Sequence, residues 1–244
     1  MNVGIFTIAT GKYIQFIDQL YTSIKDNFLI QNNKLFIIFS DCEYEKIEEL
    51  KNQLNIEILF FKIEKKGFPG DTLYRYHYFN SIQDELKKYN LDVVYYFDAD
   101  MKVVSNIGDE VLPTQTKKLI LTAHPGFFNK PGNQYLGTPE TNPKSTAFIP
   151  KERFRHCYFA GGFNGGTYSA FMEMSSKIKN NIDIDNSNNI IAIWHDESHL
   201  NEYVSNIQDK IKILTPSYCY PENWDLPYHK KIIALDKNHR EIRS

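Results

Sequence analysis

Cysteine is scarce. Cys42, Cys157 and Cys219 are three, an odd number with no close spacing. That excludes a disulfide framework and a cysteine-built zinc cluster, and it fits a reducing compartment. No apolar run approaches the roughly 20 residues that cross a bilayer. The opening MNVGIFTIAT carries no basic leader, so it reads as a first strand and not as a signal peptide. The expectation is a soluble cytoplasmic protein, with association to a membrane through a lipid-linked glycan left open. Neither sign of charge is in excess: 28 Lys and Arg stand against 30 Asp and Glu, a net charge of −2. A general surface for nucleic acid or anionic membrane is therefore not expected. Internal repeats, low-complexity segments and a clear linker are also missing.

Aromatic residues are plentiful, with 16 Tyr and 17 Phe. Sugar sites favour aromatic faces, although most such rings serve the core. A length of 244 residues fits one large domain or two small ones.

Short β-branched and aromatic runs at 2–7, 34–40, 56–62 and 91–98 read as strands. Helical spacing covers 14–27, 44–54 and 71–89, the last with Asp71 as a plausible N-cap. Alternating strands and helices imply an α/β sheet, whose ligands bind beyond the carboxyl ends of its strands. Asp98 and Asp100 fall at one such end. Residues 124–166 look like loops and short strands forming a site. Helices are expected at 168–180 and 195–207, and the chain closes on a basic tail, KNHREIR.

Four motifs carry chemistry. In Asp98-Ala99-Asp100, two carboxylates at a strand end suit one hard cation, Mn²⁺ or Mg²⁺, holding a diphosphate; the bland alternative is a polar turn. In Trp194-His195-Asp196-Glu197-Ser198-His199, the two histidines allow a zinc hydrolase reading, which lacks a third ligand. The same segment also reads as a helix N-terminus favoured by Asp196 and Glu197, or as a carboxylate facing the reacting carbon of a sugar. In Ala160-Gly161-Gly162-Phe163-Asn164-Gly165-Gly166, glycine permits close ligand approach or merely a bulge. His124, in His124-Pro125-Gly126-Phe127-Phe128, is either structural or a donor to sugar hydroxyls. Lys237, Arg240 and Arg243 form either a solvated tail or a lid.

Taken together, ATGKYIQF, TLYRYHYF, FDADM, HPGFF, STAFIPKE, YFAGGFNGG, IWHDESHLNEY and KNHREIR resemble the family 6 glycosyltransferases along nearly the whole chain. That family contains the ABO blood-group transferases, the α1,3-galactosyltransferases and soluble bacterial relatives. The resemblance implies a GT-A fold over one catalytic domain, 1–244. Residues 1–105 would be mainly the UDP-donor half, and 106–244 the acceptor-binding and catalytic half with a C-terminal lid. It implies Ile8, Ala9, Thr10 and Tyr13 at uridine, and Arg75, Ala99 and Asp196 at the donor. Asp98 and Asp100 would hold Mn²⁺, or Mg²⁺. Ala160, Gly161 and Gly162 would line the donor sugar, glycine at 162 leaving room for an acetamido group. Lys237 and Arg243 would close on the diphosphate. His124, Trp194, Glu197 and Glu222 would meet the acceptor, with Glu197 the catalytic glutamate. The implied reaction is transfer of N-acetylgalactosamine, or alternatively galactose, from the UDP-sugar in α1,3 linkage with retention, to a fucosylated galactoside. Two departures stand out: Phe68 where the family often has Trp, and Thr138-Pro139-Glu140-Thr141-Asn142 where it normally reads Tyr-Glu-Arg-Arg.

Overall fold

The four apolar runs of the first half fold as β1 (Asn2–Ile8), β2 (Asn33–Ser40), β3 (Glu57–Lys62) and β4 (Val93–Phe97). They lie parallel in the order β3-β2-β1-β4. β4 is buried along its whole length, as an apolar central parallel strand must be. The computed structural model describes residues 1–153 and 155–243; Phe154, Ser244 and the side chain of Arg243 lie outside the described residues.

The sheet continues through the second half. After β5 (Met101–Val103) come β6 (Leu119–Ala123), β7 (Phe159–Thr167) and β8 (Ile211–Leu214). The seven-stranded order is β3-β2-β1-β4-β7-β6-β8, with β7 antiparallel to both β4 and β6. β5 joins β9 (Tyr220–Pro221) and β10 (Ile232–Ala234) in a small second sheet. This mixed α/β sheet, flanked by helices, is the GT-A arrangement.

The helices α1 (Ile17–Asn27) and α2 (Tyr44–Leu54) match the expected segments, α1 after a 3₁₀ turn over Gly11–Phe16. Leu20, Tyr21 and Ile24 of α1 pack with Ile5 and Phe36 on one sheet face; on the other face Phe6 stacks with Phe79 and Phe171.

Two expectations need correcting. The helix expected over 71–89 is three short helices, α3 (Gly70–Leu73), α4 (Arg75–Ser81) and α5 (Gln83–Leu86), then a 3₁₀ turn, Lys87–Tyr89. Tyr74 (φ −93°, ψ 12°) and Ile82 (φ −109°, ψ 8°) interrupt it. The segment is aromatic on nearly every side, and packing of its rings overrides helix continuation. Asp71 is not its cap: Pro69 is, and the Asp71 carboxylate accepts from the Thr10 hydroxyl (2.8 Å) and the Lys66 N–H (2.7 Å).

The glycine-rich segment lies in β7, a longer strand than the short ones expected over 124–166, and its pairing with β6 shifts register between Leu121 and Thr122, as a bulge does. A Cβ on Gly165 would stand 2.4 Å from the Tyr95 ring, and one on Gly166 would stand 2.4 Å from the Lys118 carbonyl. Glycine at 165 admits the Tyr95 ring of β4, and glycine at 166 admits the backbone that enters β6.

The remaining helices are α6 (Tyr168–Ser187), capped by the Thr167 hydroxyl, α7 (His195–Ser205) and α8 (His239–Arg243). No described helix is long and apolar enough to cross a membrane.

Candidate active site

A cavity of about 260 Å³ opens beyond the carboxyl ends of β1 and β4. Of the expected donor residues, Ile8, Thr10, Tyr13, Asp98, Ala99, Asp100 and Lys237 line it, and Ala9 is buried beside them. Sequence reasoning missed Lys65, Asp71, Thr72, Tyr96, His239 and Ile242 in the same wall. Their only signal is adjacency to the expected residues, since nothing in residue type marks a side chain that tertiary packing turns inward.

Asp100 is buried and ion-paired with Lys237, whose ammonium also lies 5.8 Å from the Tyr13 ring centroid. The half-exposed Asp98 accepts from the Tyr96 hydroxyl at 2.6 Å and stands 3.3 Å from Arg75 Nη2. Two carboxylates opening on one cavity are fewer than a closed metal site needs, and no cluster of three His, Cys, Asp or Glu side chains occurs among the described residues. The pair fits a hard divalent cation whose other positions are taken by water and by phosphate oxygens of a ligand. In this structure the Lys237 ammonium is the cation that faces Asp100.

Arg75 sits below the cavity wall, 4% exposed. Its Nη1 donates to the Gly161 carbonyl (2.7 Å), its Nε lies 2.9 Å from Asp196 Oδ2, and its guanidinium stacks 4.2 Å over the Tyr96 ring. One buried cation thereby joins the end of β4 to the start of α7 and the first residues of β7. Gly161 then donates its N–H to Glu197 Oε2 at 2.8 Å. Burial pushes the Glu197 carboxyl up to about 7, against the lowering effect of the Gly161 N–H. Burial likewise raises Asp196 to about 6, with Arg75 pulling the other way.

Ala160, Gly161, Gly162, Asp196 and Glu197 do not line the cavity; they connect to it through Arg75 and Asp98. A Cβ on Gly162 would stand 2.6 Å from Met101 Cε and 3.0 Å from Asp98 Oδ2. A side chain at 162 would press on the Met101 methyl and on Asp98, so the glycine also has a packing reason that does not depend on the sugar bound.

The expected acceptor residues are spread over α7, the loop after β6 and, for Glu222, the segment after β9. His124 Nδ1 accepts from the Gly126 N–H at 3.1 Å, and burial lowers the ring to about 4. The imidazole is thus neutral near pH 7, with its proton on Nε2, a hydrogen-bond donor. Its ring packs on Phe127 and Tyr158, at 4.7 and 5.8 Å between centroids. Trp194 is 48% exposed at the N-cap of α7. Glu222 Oε2 accepts from the Asp236 N–H at 2.8 Å, which ties it to the C-terminal segment.

The zinc pair is not formed. His195 takes a positive φ of 51° and its ring meets Phe68 edge-on at 5.1 Å. His199 is buried behind the helix, 3.7 Å from Asp185. The left-handed start of α7 breaks the helical face that the i, i+4 spacing assumed.

A sequence model described as glycosyltransferase family 6 matches residues 1–244. The chain is similar to histo-blood group ABO system transferase 1 of Rattus norvegicus, 26% identical over 100% of this chain and 69% of the relative. It is 30% identical to the O-antigen biosynthesis glycosyltransferase WbnI of Escherichia coli, over 97% of this chain and 95% of the relative. The globoside alpha-1,3-N-acetylgalactosaminyltransferase 1 of Gallus gallus is 26% identical over 100% of this chain and 70% of its own.

Proposed function

The chain belongs to glycosyltransferase family 6, and from that premise we propose that it moves N-acetylgalactosamine from UDP-N-acetylgalactosamine, in α1,3 linkage and with retention, onto a fucosylated galactoside. The observation that carries the proposal is the double use of Gly161: its N–H holds Glu197 while its carbonyl holds Arg75, which also engages Asp98 and Asp196. Groups suited to a diphosphate and a group suited to an anomeric carbon are thereby locked into one unit.

In this reading Ile8, Ala9, Thr10 and Tyr13 receive the uridine. Asp98 and Asp100 would hold Mn²⁺ or Mg²⁺, which supplies positive charge beside the diphosphate. Lys237 closes over the same phosphates; the side chain of Arg243, expected to join it, lies outside the described residues. Asp196, fixed by Arg75, takes hydroxyls of the donor sugar. Glu197, one oxygen occupied by the Gly161 N–H, offers the other to the sugar as positive charge develops at its anomeric carbon. His124 donates from Nε2 to an acceptor hydroxyl, Trp194 stacks on the acceptor ring, and Glu222 borders it.

UDP-galactose is the second reading. The packing of Gly162 against Asp98 is compatible with either donor, so the glycine does not by itself select N-acetylgalactosamine. Incubation with each UDP-sugar and 2′-fucosyllactose, with the product linkage read by NMR, decides between them. The expected product carries α1,3-linked N-acetylgalactosamine. A β-linked product overturns retention, and no product from either donor overturns this acceptor.

A further inference from the structure

Glu140, in the loop between β6 and β7, is a buried carboxylate, 6% exposed, that no part of the proposed reaction uses. Its Oε1 accepts from the Thr141 and Asn142 N–H groups at 2.8 and 2.7 Å. Its Oε2 crosses to a different element and accepts from the Ile193 N–H at 2.7 Å. Ile193 is the residue before Trp194, and the Trp194 carbonyl takes the Glu197 N–H at 3.0 Å in the first turn of α7. The side chains around this turn offer little apolar anchorage: Ile191 is 58%, Ile193 55% and Trp194 48% exposed. Ala192 is buried and the Trp194 N–H donates to the Ser198 hydroxyl at 3.0 Å, and to these the charged bond from the Ile193 N–H to Glu140 adds a tie of the strong kind.

The same loop is pinned a second time. Asp185 of α6 accepts from the Ser145 hydroxyl at 2.5 Å and the Thr146 N–H at 2.7 Å. The loop cannot slide toward α6, so the position of Glu140 is transmitted to the turn it grips.

We infer that Glu140 is a positioning residue for acceptor recognition: its carboxylate sets the turn that presents the Trp194 ring to the acceptor sugar and begins the helix bearing Glu197. The inference rests on the acceptor role proposed for Trp194. The direct contacts of Glu140 lie on the acceptor side: none reaches the cavity lined by Asp98 and Asp100, which α7 meets further along, through Asp196 and Arg75.

The test uses Glu140→Gln, which keeps the size but turns an amide N–H₂ toward donors, and Glu140→Asp, which keeps the charge but shortens the reach. Both are made in the full chain, and again in a Trp224→Phe background, where Trp194 is the only tryptophan left of 2. Loss of a charge-assisted bond predicts an acceptor KM raised by about tenfold for 2′-fucosyllactose. UDP affinity should stay within about twofold, by the same localisation of the change. Acrylamide quenching and emission of Trp194 should shift, with the aspartate variant shifting in the same direction. An unchanged KM and unchanged Trp194 fluorescence overturn the inference. So does parallel loss of UDP affinity, acceptor KM and melting temperature, which marks a general structural role. If the wild-type chain transfers to no acceptor, the proposed function fails, while Trp194 fluorescence still decides whether Glu140 sets this turn. Should Glu140→Gln not fold, the aspartate variant carries all three readouts.

Discussion

The Gly161 N–H and the Glu197 carboxylate meet at 2.8 Å, across the junction of the central strand β7 and the first turn of α7. A Cβ on Gly161 would lie 3.5 Å from both Glu197 Oε2 and Arg75 Nη1, ordinary contact distances. The contact comes from the backbone of a strand whose other bonds hold the sheet together. Glu197 is thus held by the backbone of a central strand, as a group that must face a reacting carbon requires.

Replacing Glu197 by Gln should lower transfer by at least roughly 100-fold while UDP still binds. Rates and UDP titration check this; transfer near the wild-type rate removes Glu197 from the chemistry.

The pH dependence follows from the raised carboxyl of Glu197, at about 7. If the carboxylate is the working form, kcat should rise with pH through about 7. In the unfolded chain the group ionises near about 4.3. Burial of the charge therefore costs nothing below that pH, costs increasingly between the two values, and costs fully above the higher one. Glu197→Gln should then stabilise the fold at pH 8, by on the order of 2 kcal/mol, and leave it unchanged at pH 4. Melting temperatures of both proteins at the two pH values test the sign.

Arg75→Met should leave Asp196 buried without its cation and free Asp98 from a partner. Breaking a buried pair of this kind costs about 3–5 kcal/mol, visible in chemical denaturation. Arg75→Lys keeps the charge but not the three-way fork, so it should recover part of the stability and little of the activity. Full activity in the lysine variant would show that the fork geometry does not matter.

Gly162→Ala should disturb Asp98 before it disturbs the donor sugar, since the new methyl group meets Met101 and Asp98 Oδ2. UDP affinity measured with Mn²⁺ should fall for this variant, whichever UDP-sugar the enzyme prefers. An altered donor preference with unchanged UDP affinity would restore the reading of Gly162 as a pocket for the acetamido group.

Chelation should stop transfer and Mn²⁺ should restore it, if Asp98 and Asp100 hold a cation. Asp98→Asn with Asp100→Asn should abolish the response to added metal in UDP binding, followed by calorimetry. Transfer that persists fully in chelator assigns the two aspartates to Arg75 and Lys237 alone.

Much of the sheet was legible because buried parallel strands are written as short apolar runs. NVGIFT and VVYYF are examples, and Asp98 and Asp100 lie where the second of these ends. The helix over 44–54 was legible because its apolar residues, Ile47, Leu50 and Leu54, keep helical spacing. The breaks at Tyr74 and Ile82 were not, since no proline or glycine marks them. The strand β7 was hidden by its glycines, which signal turns when isolated and serve here to admit Tyr95.

The sequence by itself determined the strand order of chemistry along the chain: paired acids after a buried strand, a glycine run, then an acid pair opening a helix. Those are properties of residue type and spacing, and the family match follows from them. Only the tertiary structure decided which of these acids share a partner. Arg75 engages Asp98, Asp196 and Gly161, residues far apart in sequence, because burial gives a guanidinium no water and forces it to satisfy its donors with whatever the fold brings within reach.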